Sequence, residues 1–231
     1  MKLLKWLWRI AWKAAMWFLI LSVGLTVIYR FVPVVITPLM VIRVVEQAFD
    51  PDKEVLLRKD WVPLSEISKN APQAVFAAED QKFLDHKGFD IEAMEKAWEN
   101  NKKGKRIKGA STITQQTVKN VFLWPSRSYL RKGLEAYFTV LVELLWSKER
   151  IMEVYLNVIE MGDGIYGIEA ASTTFFNTSA AKLTRNQAAL IAAVLPNPRR
   201  WSPAKPSGYI LSRQAWILRQ MNNLAPIDMG I

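Results

Sequence analysis

Two adjacent carboxylates, Glu79 and Asp80, open the group of residues whose types and spacing best suit chemistry, and His86, Gly88 and Asp90 follow in the same short stretch. A carboxylate serves as a general base when its surroundings raise its pKa toward the working pH. The structural alternative is that Asp80, His86 and Asp90 cap helices and pair with one another, and we favour it for these three. Glu79 is the residue of this group that we predict to act chemically.

A second group lies in residues 109–116 (GASTITQQ), at the start of a predicted helix, with Lys119 one turn beyond. A glycine followed by hydroxyl residues at a helix N-terminus offers free N–H groups, hydroxyl donors and the positive end of the helix dipole, which suit a phosphate. An ordinary well-capped helix would explain Ser111 and Thr112. It would not explain the two adjacent glutamines and the lysine.

A third group combines basic and acidic residues at helical spacing. Arg127, Arg131 and Glu135 are four residues apart and would share a helix face, with Lys132 beside them. On a surface, such a ladder of ion pairs contributes little to stability. Residues 100–108 carry further basic side chains, and we predict either a solvated loop or a loop that closes over an anionic substrate or rests on anionic lipid.

Helical periodicity dominates the elements that must position these groups. Two capping boxes, Thr112 with Gln115 and Thr184 with Gln187, mark helix N-termini. Only Val55–Val62 is strand-like. The predicted helices are Ala71–Leu84, Ile91–Asn101, Thr112–Phe122, Arg127–Trp146, Glu149–Val158, Ile165–Phe176, one that follows Thr184 and ends at Pro196, and Ser207–Asn222. The pattern predicts a mainly α fold with a single domain.

The N-terminal segment is apolar in a different way. Ile10–Tyr29 is apolar apart from Lys13 and is long enough to cross a bilayer core of about 30 Å. Basic residues and tryptophans crowd its N-terminal end, which is typical of a cytoplasmic flank. We predict an uncleaved transmembrane helix; a cleaved signal peptide is the alternative, but no A-x-A-like site follows. Phe31–Val45 contains two prolines and is predicted to lie on the membrane surface or pack under the domain.

Composition narrows the remaining classes. The 231 residues carry a formal net charge of +10, which predicts an anionic partner such as a phosphate, a nucleic acid or an acidic membrane surface. The chain has no cysteine, which excludes disulfides and thiolate metal sites. Its single histidine, His86, argues against a histidine-rich metal site.

An ordered set of sequence strings resembles the successive signature motifs of the family 51 peptidoglycan glycosyltransferases. The strings are EDQKFLDHKGFD (79–90), GASTITQQTVKN (109–120), RKGLE (131–135), KERIMEVYLN (148–157) and GIYGIEAASTTFF (164–176), and residues 183–203 continue the similarity. The similarity covers about Val45 to Met221, and it is greatest to the monofunctional members from Gram-negative bacteria. It implies a mainly α chain: a cytoplasmic tip and single N-terminal transmembrane helix (1–30), a membrane-proximal segment (31–45) and a lysozyme-like α-helical glycosyltransferase domain (46–231).

The resemblance also implies roles for individual residues. It makes Glu79 the catalytic general base and Glu135 the second catalytic carboxylate. The positions that line the donor substrate or contact its diphosphate are Ser111, Gln115, Lys119, Arg127, Arg131 and Lys132. No cofactor is implied as required and no protein metal site is visible, while a divalent cation such as Mg²⁺ at the diphosphate is compatible with the reaction.

The implied reaction joins two copies of lipid II, with a sugar hydroxyl attacking the donor's C1 and polyprenyl diphosphate leaving. A sugar hydroxyl needs a base, whereas a diphosphate needs charge neutralisation, so one carboxylate and a cationic cluster predict direct displacement with inversion. The implied partners are lipid II, the growing glycan strand, the membrane and other cell-wall synthesis or division proteins, and not nucleic acid. The implied location is the bacterial inner membrane, with the catalytic domain in the periplasm.

Other functions are weighed against this one. A lysozyme-like glycan-cleaving enzyme would place two carboxylates around the bond and would need neither cationic cluster nor anchor. A non-catalytic, membrane-tethered wall-binding module would not need Glu79 and Glu135. Two S-x-x-K matches, at residues 179–182 and 202–205, suggest a penicillin-type acyl transferase, but no K-T-G follows and the matches are predicted to be structural.

Overall fold

Helices make up most of the protein, whose computed structural model describes residues 2–102, 110–126 and 128–229. The α-helices in these ranges are α1 (Lys2–Phe31), α2 (Pro38–Ala48), α3 (Asn70–Glu79), α4 (Ile91–Lys102), α5 (Ile113–Phe122), α6 (Tyr129–Leu145), α7 (Lys148–Val158), α8 (Ile168–Phe176), α9 (Arg185–Val194) and α10 (Gly208–Asn223). Three short strands, β1 (Arg58–Lys59), β2 (Glu160–Gly162) and β3 (Ile165–Tyr166), complete the regular structure together with two short 3₁₀ helices. The predicted mainly α fold with an apolar N-terminal helix is confirmed.

The helix α1 is long and apolar enough to cross a membrane by length and composition. Residues 2–17 are exposed, whereas α1 contacts α6 from Phe18 onward. The hydroxyls of Ser22 and Tyr137 lie 2.7 Å apart, and the Trp146 indole N–H donates to the Thr26 carbonyl at 2.8 Å. The helix α1 is therefore joined to the rest of the protein through a packed and hydrogen-bonded interface.

The C-terminal end of α1 is also held by an arginine from α7. The last carbonyls of a helix have no partner within the helix. The Arg150 guanidinium donates to the Tyr29 carbonyl through Nε (3.0 Å) and Nη2 (2.7 Å), and Nη2 also donates to the Val32 carbonyl at 2.6 Å. One side chain of α7 thus satisfies the open end of α1.

The membrane-proximal segment forms the short helix α2 instead of a second spanning helix. Thr37 caps it by accepting a hydrogen bond from the Met40 N–H, and Pro38 occupies the first turn, where no N–H is needed. Val34 and Met40 are fully buried in the main hydrophobic core. Part of this segment therefore packs under the domain, while Phe31, Val35 and Ile36 are exposed.

A second, alanine-rich core joins α3, α9 and α10. Small side chains let helices approach closely, and this core is built mainly from Ala74, Ala77, Ala188, Ala189, Ala192 and Ala193 together with apolar residues of α10. The close packing brings the C-terminal end of α3 next to the middle of α10. This contact matters because α3 ends at Glu79.

The strands form a small sheet that the sequence pattern did not predict in full. The sheet order is β1-β3-β2, with β1 parallel and β2 antiparallel to β3. Only Arg58–Lys59 of the predicted strand Val55–Val62 is in the sheet, and the predicted helix start at Ile165 was wrong because Ile165–Tyr166 is a strand. Gly167, with φ +81°, separates strand from helix, and a Cβ there would lie 2.7 Å from the Asn157 carbonyl oxygen.

Three other predicted helix boundaries were also wrong. The helix predicted to run to Leu84 ends at Glu79, because Asp80 leaves helical geometry and its carboxylate binds elsewhere. The helix predicted from Arg127 begins at Tyr129, with Ser128 as its cap. The helix predicted to reach Pro196 ends at Val194, since a proline lacks the N–H that would continue it. Both capping boxes are confirmed.

Candidate active site

Glu79 lies at the C-terminal end of α3, with its side chain only 14% exposed. Its Oε2 accepts a hydrogen bond from the Gln116 amide at 2.9 Å, and its Oε1 lies 3.4 Å from Arg213 Nη2. The Gln116 amide is oriented in turn by the Tyr155 hydroxyl, which donates to its oxygen at 3.3 Å. One oxygen of the carboxylate is thus fixed, while the other has a single long contact.

The surroundings of Glu79 favour its neutral form on balance. Burial raises the pKa of Glu79 above its ordinary value, while the Gln116 hydrogen bond and the charges of Arg213 and Lys119 act in the opposite direction. A raised pKa is what a carboxylate needs to accept a proton near neutral pH. Glu79 therefore has both the position and the electrostatics of a general base.

The turn after Glu79 is held in place by its own polar residues. Asp80 accepts hydrogen bonds from the Ile113 backbone N–H (3.0 Å) and from His86 Nε2 (3.0 Å), while His86 Nδ1 accepts from the Gly88 N–H (3.1 Å). Thr112 adds a 2.7 Å bond from its hydroxyl to the Gly88 carbonyl. The network ties the end of α3 to the start of α5, so the position of Glu79 relative to α5 is fixed.

The structural interpretation of Asp80, His86 and Asp90 is confirmed. Asp80 and His86 pair with each other, and Asp90 accepts a hydrogen bond from the Ala93 N–H in the first turn of α4.

At the start of α5, some of the backbone N–H groups considered for a phosphate already have partners within the protein. The Ile113 N–H donates to Asp80, and the Gln115 N–H donates to the Thr112 hydroxyl at 3.2 Å. These two amide groups are occupied within the protein. The Gln115 side chain is buried and its oxygen accepts from the Thr112 N–H in the capping box, whereas Ser111 is exposed.

Glu135, on α6, is buried and paired with two cations. Its Oε2 accepts from Arg131 Nη1 at 2.7 Å, and its Oε1 pairs with Lys132 Nζ. Only 3% of the Glu135 side chain is exposed, against 50% for Lys132. Both oxygens of Glu135 are engaged, so this carboxylate orients the two cations.

Lys119 is a cation close enough to interact with both Glu79 and Glu135. Its ammonium group makes no hydrogen bond or ion pair with the described part of the chain, and its charge interacts with both Glu135 and Glu79. The Lys119 side chain is exposed, but the surrounding protein still lowers its pKa by desolvation. The two carboxylates oppose that shift. An ammonium without a protein partner in such a place is available to an anionic ligand.

Two pockets, which together we call the cleft, meet at this group of residues. One, of about 510 Å³, is lined by Gln116, Lys119 and Arg131 among others, and the other, of about 340 Å³, is lined by Glu79 and Ser111. The hydrogen bond from Gln116 to Glu79 joins the walls of the two pockets. One pocket therefore offers cations and the other a carboxylate, on the two sides of one contact.

The structure brings together some of the predicted site residues and adds others. Glu79, Lys119, Arg131, Lys132 and Glu135 form one connected electrostatic group. Arg127 and the basic residues 103–108 lie outside the described residues.

The sequence analysis missed the roles of Gln116 and Arg213. Gln116 could have been found, because it lies three residues before Lys119 and thus on the same helix face. For Arg213 the sequence offered no signal.

Comparison with known proteins gives consistent results. The model of a family described as "Transglycosylase" matches residues 51–222. A protein named biosynthetic peptidoglycan transglycosylase from Bdellovibrio bacteriovorus is 58% identical over 214 residues, covering 93% of this chain and 84% of that protein. Proteins of the same name from Bacteroides thetaiotaomicron (56% identical; 93% of this chain, 86% of that protein) and Pseudomonas fluorescens (52%; 98% and 94%) are also similar.

Proposed function

Because the chain belongs to the transglycosylase family, we propose how the cleft described above carries out that family's reaction. The protein is a peptidoglycan transglycosylase that polymerises glycan strands, and lipid II and the strand are its substrates. The residues described by the structure include no transpeptidase domain. The proposal concerns which residues act and where the chain is located.

The observation that carries the proposal is the pairing of one base with one cationic pocket. Glu79 is a buried carboxylate with a raised pKa and one loosely held oxygen. It is hydrogen-bonded to Gln116, which also lines the pocket that contains Lys119 and Arg131. This arrangement supports a division of roles, in which Glu79 takes a proton while Lys119 and Arg131 hold an anion.

Glu79 acts as the general base. It takes the proton of the acceptor's GlcNAc 4-hydroxyl as that oxygen attacks C1 of the donor's MurNAc. The bond between C1 and the diphosphate breaks as the new bond forms, so the α-linked donor gives a β-linked product by inversion. The smaller pocket, lined by Glu79 and Ser111, is the place where the acceptor sugar would approach the base.

The cationic pocket stabilises the leaving diphosphate. A diphosphate departs as a stable anion and needs neutralisation of its charge more than a proton. Arg131 and Lys119 contribute charge directly, and Lys132 adds to it from the more exposed side. Glu135 holds Arg131 and Lys132 in position, which supports a catalytic role through orientation.

The binding roles of Ser111, Gln115 and Arg127 remain predictions. Gln116 joins the proposed set, because its amide contacts Glu79 and it lines the cationic pocket.

A protein-held metal ion is not part of the proposal. Mg²⁺ prefers carboxylate oxygens and water, but both oxygens of Glu135 are already paired with cations. In the described parts of the chain no group of three potential metal-ligating side chains is close enough to hold an ion. Any Mg²⁺ would have to be held mainly by the substrate's phosphates, so no step is assigned to it.

We also propose that the chain is a single-pass protein of the bacterial inner membrane, with its domain in the periplasm. The apolar helix α1 and the basic residues before its apolar core support this orientation. Cell-wall synthesis or division proteins are further proposed partners. The substrate's polyprenyl chain lies in the same membrane, which is consistent with an anchored enzyme.

The test uses the full chain purified in detergent with fluorescent lipid II, and follows polymer on a gel. Wild-type protein should give long strands that a muramidase degrades, whereas Glu79→Gln should give none. Glu66→Gln is the matched control, because Glu66 is exposed and lines neither pocket of the cleft. It should polymerise like wild type.

Two other outcomes would replace the proposal. Cleavage of preformed glycan with unreacted lipid II would favour the lysozyme-like enzyme. If wild type neither polymerises nor cleaves in any lipid or detergent, the tethered binding module would become the better interpretation.

A further inference from the structure

Arg213 contacts Glu79 but belongs to none of the sequence motifs. It lies on α10, and the alanine-rich packing of α10 against α3 brings its guanidinium to Glu79. Its Nη2 is 3.4 Å from Glu79 Oε1. Its Nε is buried and forms no hydrogen bond with any described residue. Nothing in the reaction described above uses this side chain.

The contact of Arg213 with Glu79 is longer than the ion pair of Arg131 with Glu135. Charge-assisted hydrogen bonds between nitrogen and carboxylate oxygen are usually about 2.7–2.9 Å long. Arg131 holds Glu135 at 2.7 Å, and Lys132 engages the second oxygen of Glu135. Arg213 is farther from Glu79, so its charge acts on the carboxylate without occupying it.

The contacts of the two Glu79 oxygens indicate which one accepts the proton. Oε2 is held by the Gln116 amide at 2.9 Å, and Gln116 is held by Tyr155. Oε1 has only the long contact with Arg213. Oε1 is therefore the oxygen that is free to approach a substrate hydroxyl.

Groups other than Arg213 also affect the ionisation of Glu79. From α5, Gln116 and Lys119 face it, Asp80 is its neighbour in the chain, and Tyr155 approaches from α7. Burial raises the pKa of Tyr155 well above its ordinary value, so that hydroxyl stays neutral. Asp80 opposes ionisation of Glu79, and Lys119 favours it without forming an ion pair. Arg213 is the cation that contacts the carboxylate directly.

We propose that Arg213 is a positioning residue of the polymerisation reaction, which keeps Glu79 ionised between turnovers and directs Oε1 toward the acceptor hydroxyl. This inference rests on the proposed role of Glu79 as the base. When the hydroxyl proton moves to Oε1, the acceptor oxygen bonds to C1, and the electron pair of the breaking bond leaves with the diphosphate. Glu79 is then neutral beside a cation, which favours release of its proton to water. Each release restores the base for the next addition.

The test is the pH dependence of kcat/KM for lipid II polymerisation, because that profile reports the pKa of essential groups in the free enzyme. Arg213→Gln keeps much of the side chain but removes the charge. The acidic limb of the Arg213→Gln profile should shift upward by about one pH unit or more. Its kcat/KM should therefore be roughly tenfold lower than that of wild type below the limb and should recover at higher pH. Arg213→Lys should return the limb toward the wild-type position.

Arg219→Ala is the control, because Arg219 lies on the same helix, is exposed and forms no hydrogen bond or ion pair with any described residue. It removes one positive charge from α10 and should leave the limb where it is. Thermal unfolding of each variant checks that it is folded. If the Arg213→Gln variant misfolds, Arg213→Lys still tests the proposal. The proposal requires the acidic limb of its kcat/KM profile to lie close to that of wild type.

The outcomes separate this inference from the proposed function. A uniform loss of activity at every pH in Arg213→Gln, or a shift equal to that of Arg219→Ala, would overturn the role of Arg213 while leaving Glu79 as the base. A wild-type profile that persists in Glu79→Gln would overturn the proposed function itself.

Discussion

At the scale of single residues, Glu79 carries a functional group in surroundings that disfavour its charge. Burial raises the pKa of this carboxyl, so the folded protein binds its proton more tightly than the unfolded chain does. The resulting contribution to stability is fully present below the ordinary pKa of 4.5 and is lost as pH rises through the folded-state pKa. At neutral pH and above, the ionised base therefore destabilises the fold.

This linkage predicts that an inactive variant is the more stable one. Glu79→Gln cannot ionise, so at about pH 8 its free energy of unfolding should exceed that of wild type, and the difference should shrink toward about pH 4.5. Chemical unfolding in one detergent at several pH values measures both. Glu66→Gln, at an exposed position, should follow the wild-type curve. A variant less stable than wild type at high pH would contradict the burial argument.

Residue roles were predictable where the cause was local and not where it was tertiary. The Asp80–His86 pair and the cap formed by Asp90 follow from neighbours within one short stretch. Arg213 meets Glu79 across 134 residues of chain, through a helix packing that no spacing rule encodes. The proximity of Lys119 to both carboxylates also depends on how three helices pack.

At the scale of elements, two capping boxes of the same type are placed differently. Thr112 caps α5 and also donates to the Gly88 carbonyl, in the network that fixes the turn after Glu79. Thr184 caps α9 at an exposed position, away from both pockets of the cleft. The same local chemistry therefore serves the site in one case and only a helix in the other.

The two threonines form a matched test of this difference. Thr184→Ala should lower the free energy of unfolding by about 1 kcal/mol and leave polymerisation within roughly twofold of wild type. Thr112→Ala should lower it by about 2 kcal/mol, since a buried hydrogen bond is lost as well, and should slow polymerisation about tenfold or more. Denaturant unfolding and the lipid II gel assay measure the two effects. Equal activities would show that the turn does not depend on Thr112.

Element types were predicted better than element ends. The capping boxes located the starts of α5 and α9 because their signal lies within four residues. The end of α3 was missed, since Asp80 leaves the helix to bind the Ile113 N–H, a partner 33 residues away. Strands β2 and β3 were missed because two or three residues carry too little periodicity to be seen.

At the scale of the whole molecule, α1 and the helix α6 share one interface. The aromatic rings of Phe18, Tyr137 and Phe138 pack together where α1 crosses α6. The hydrogen bonds of Ser22 and Thr26 lie along the same contact. The first part of α1 makes no such contacts, and its side chains are exposed.

Two truncations should therefore behave differently. Removal of residues 2–16 takes away only exposed side chains, and the midpoint of thermal unfolding in detergent should change little. Removal of residues 2–33 uncovers Phe138 and Trp146 and leaves Arg150 without its carbonyl partners, so the midpoint should fall by several degrees or more. Similar midpoints for both truncations would show that the interface contributes nothing to the domain's stability.

The hydrogen bonds from Arg150 to the carbonyls of Tyr29 and Val32 have a consequence for how the enzyme encounters its substrate. If α1 is anchored in the membrane as proposed, a flexible junction would let the cleft move through a volume above the bilayer, and its effective concentration toward a membrane-borne lipid would be lower. A rigid junction would instead hold the cleft at one height and tilt. Encounters with a lipid-linked sugar would then reduce to lateral diffusion of two molecules in a plane, and each new strand would leave the surface at a set angle.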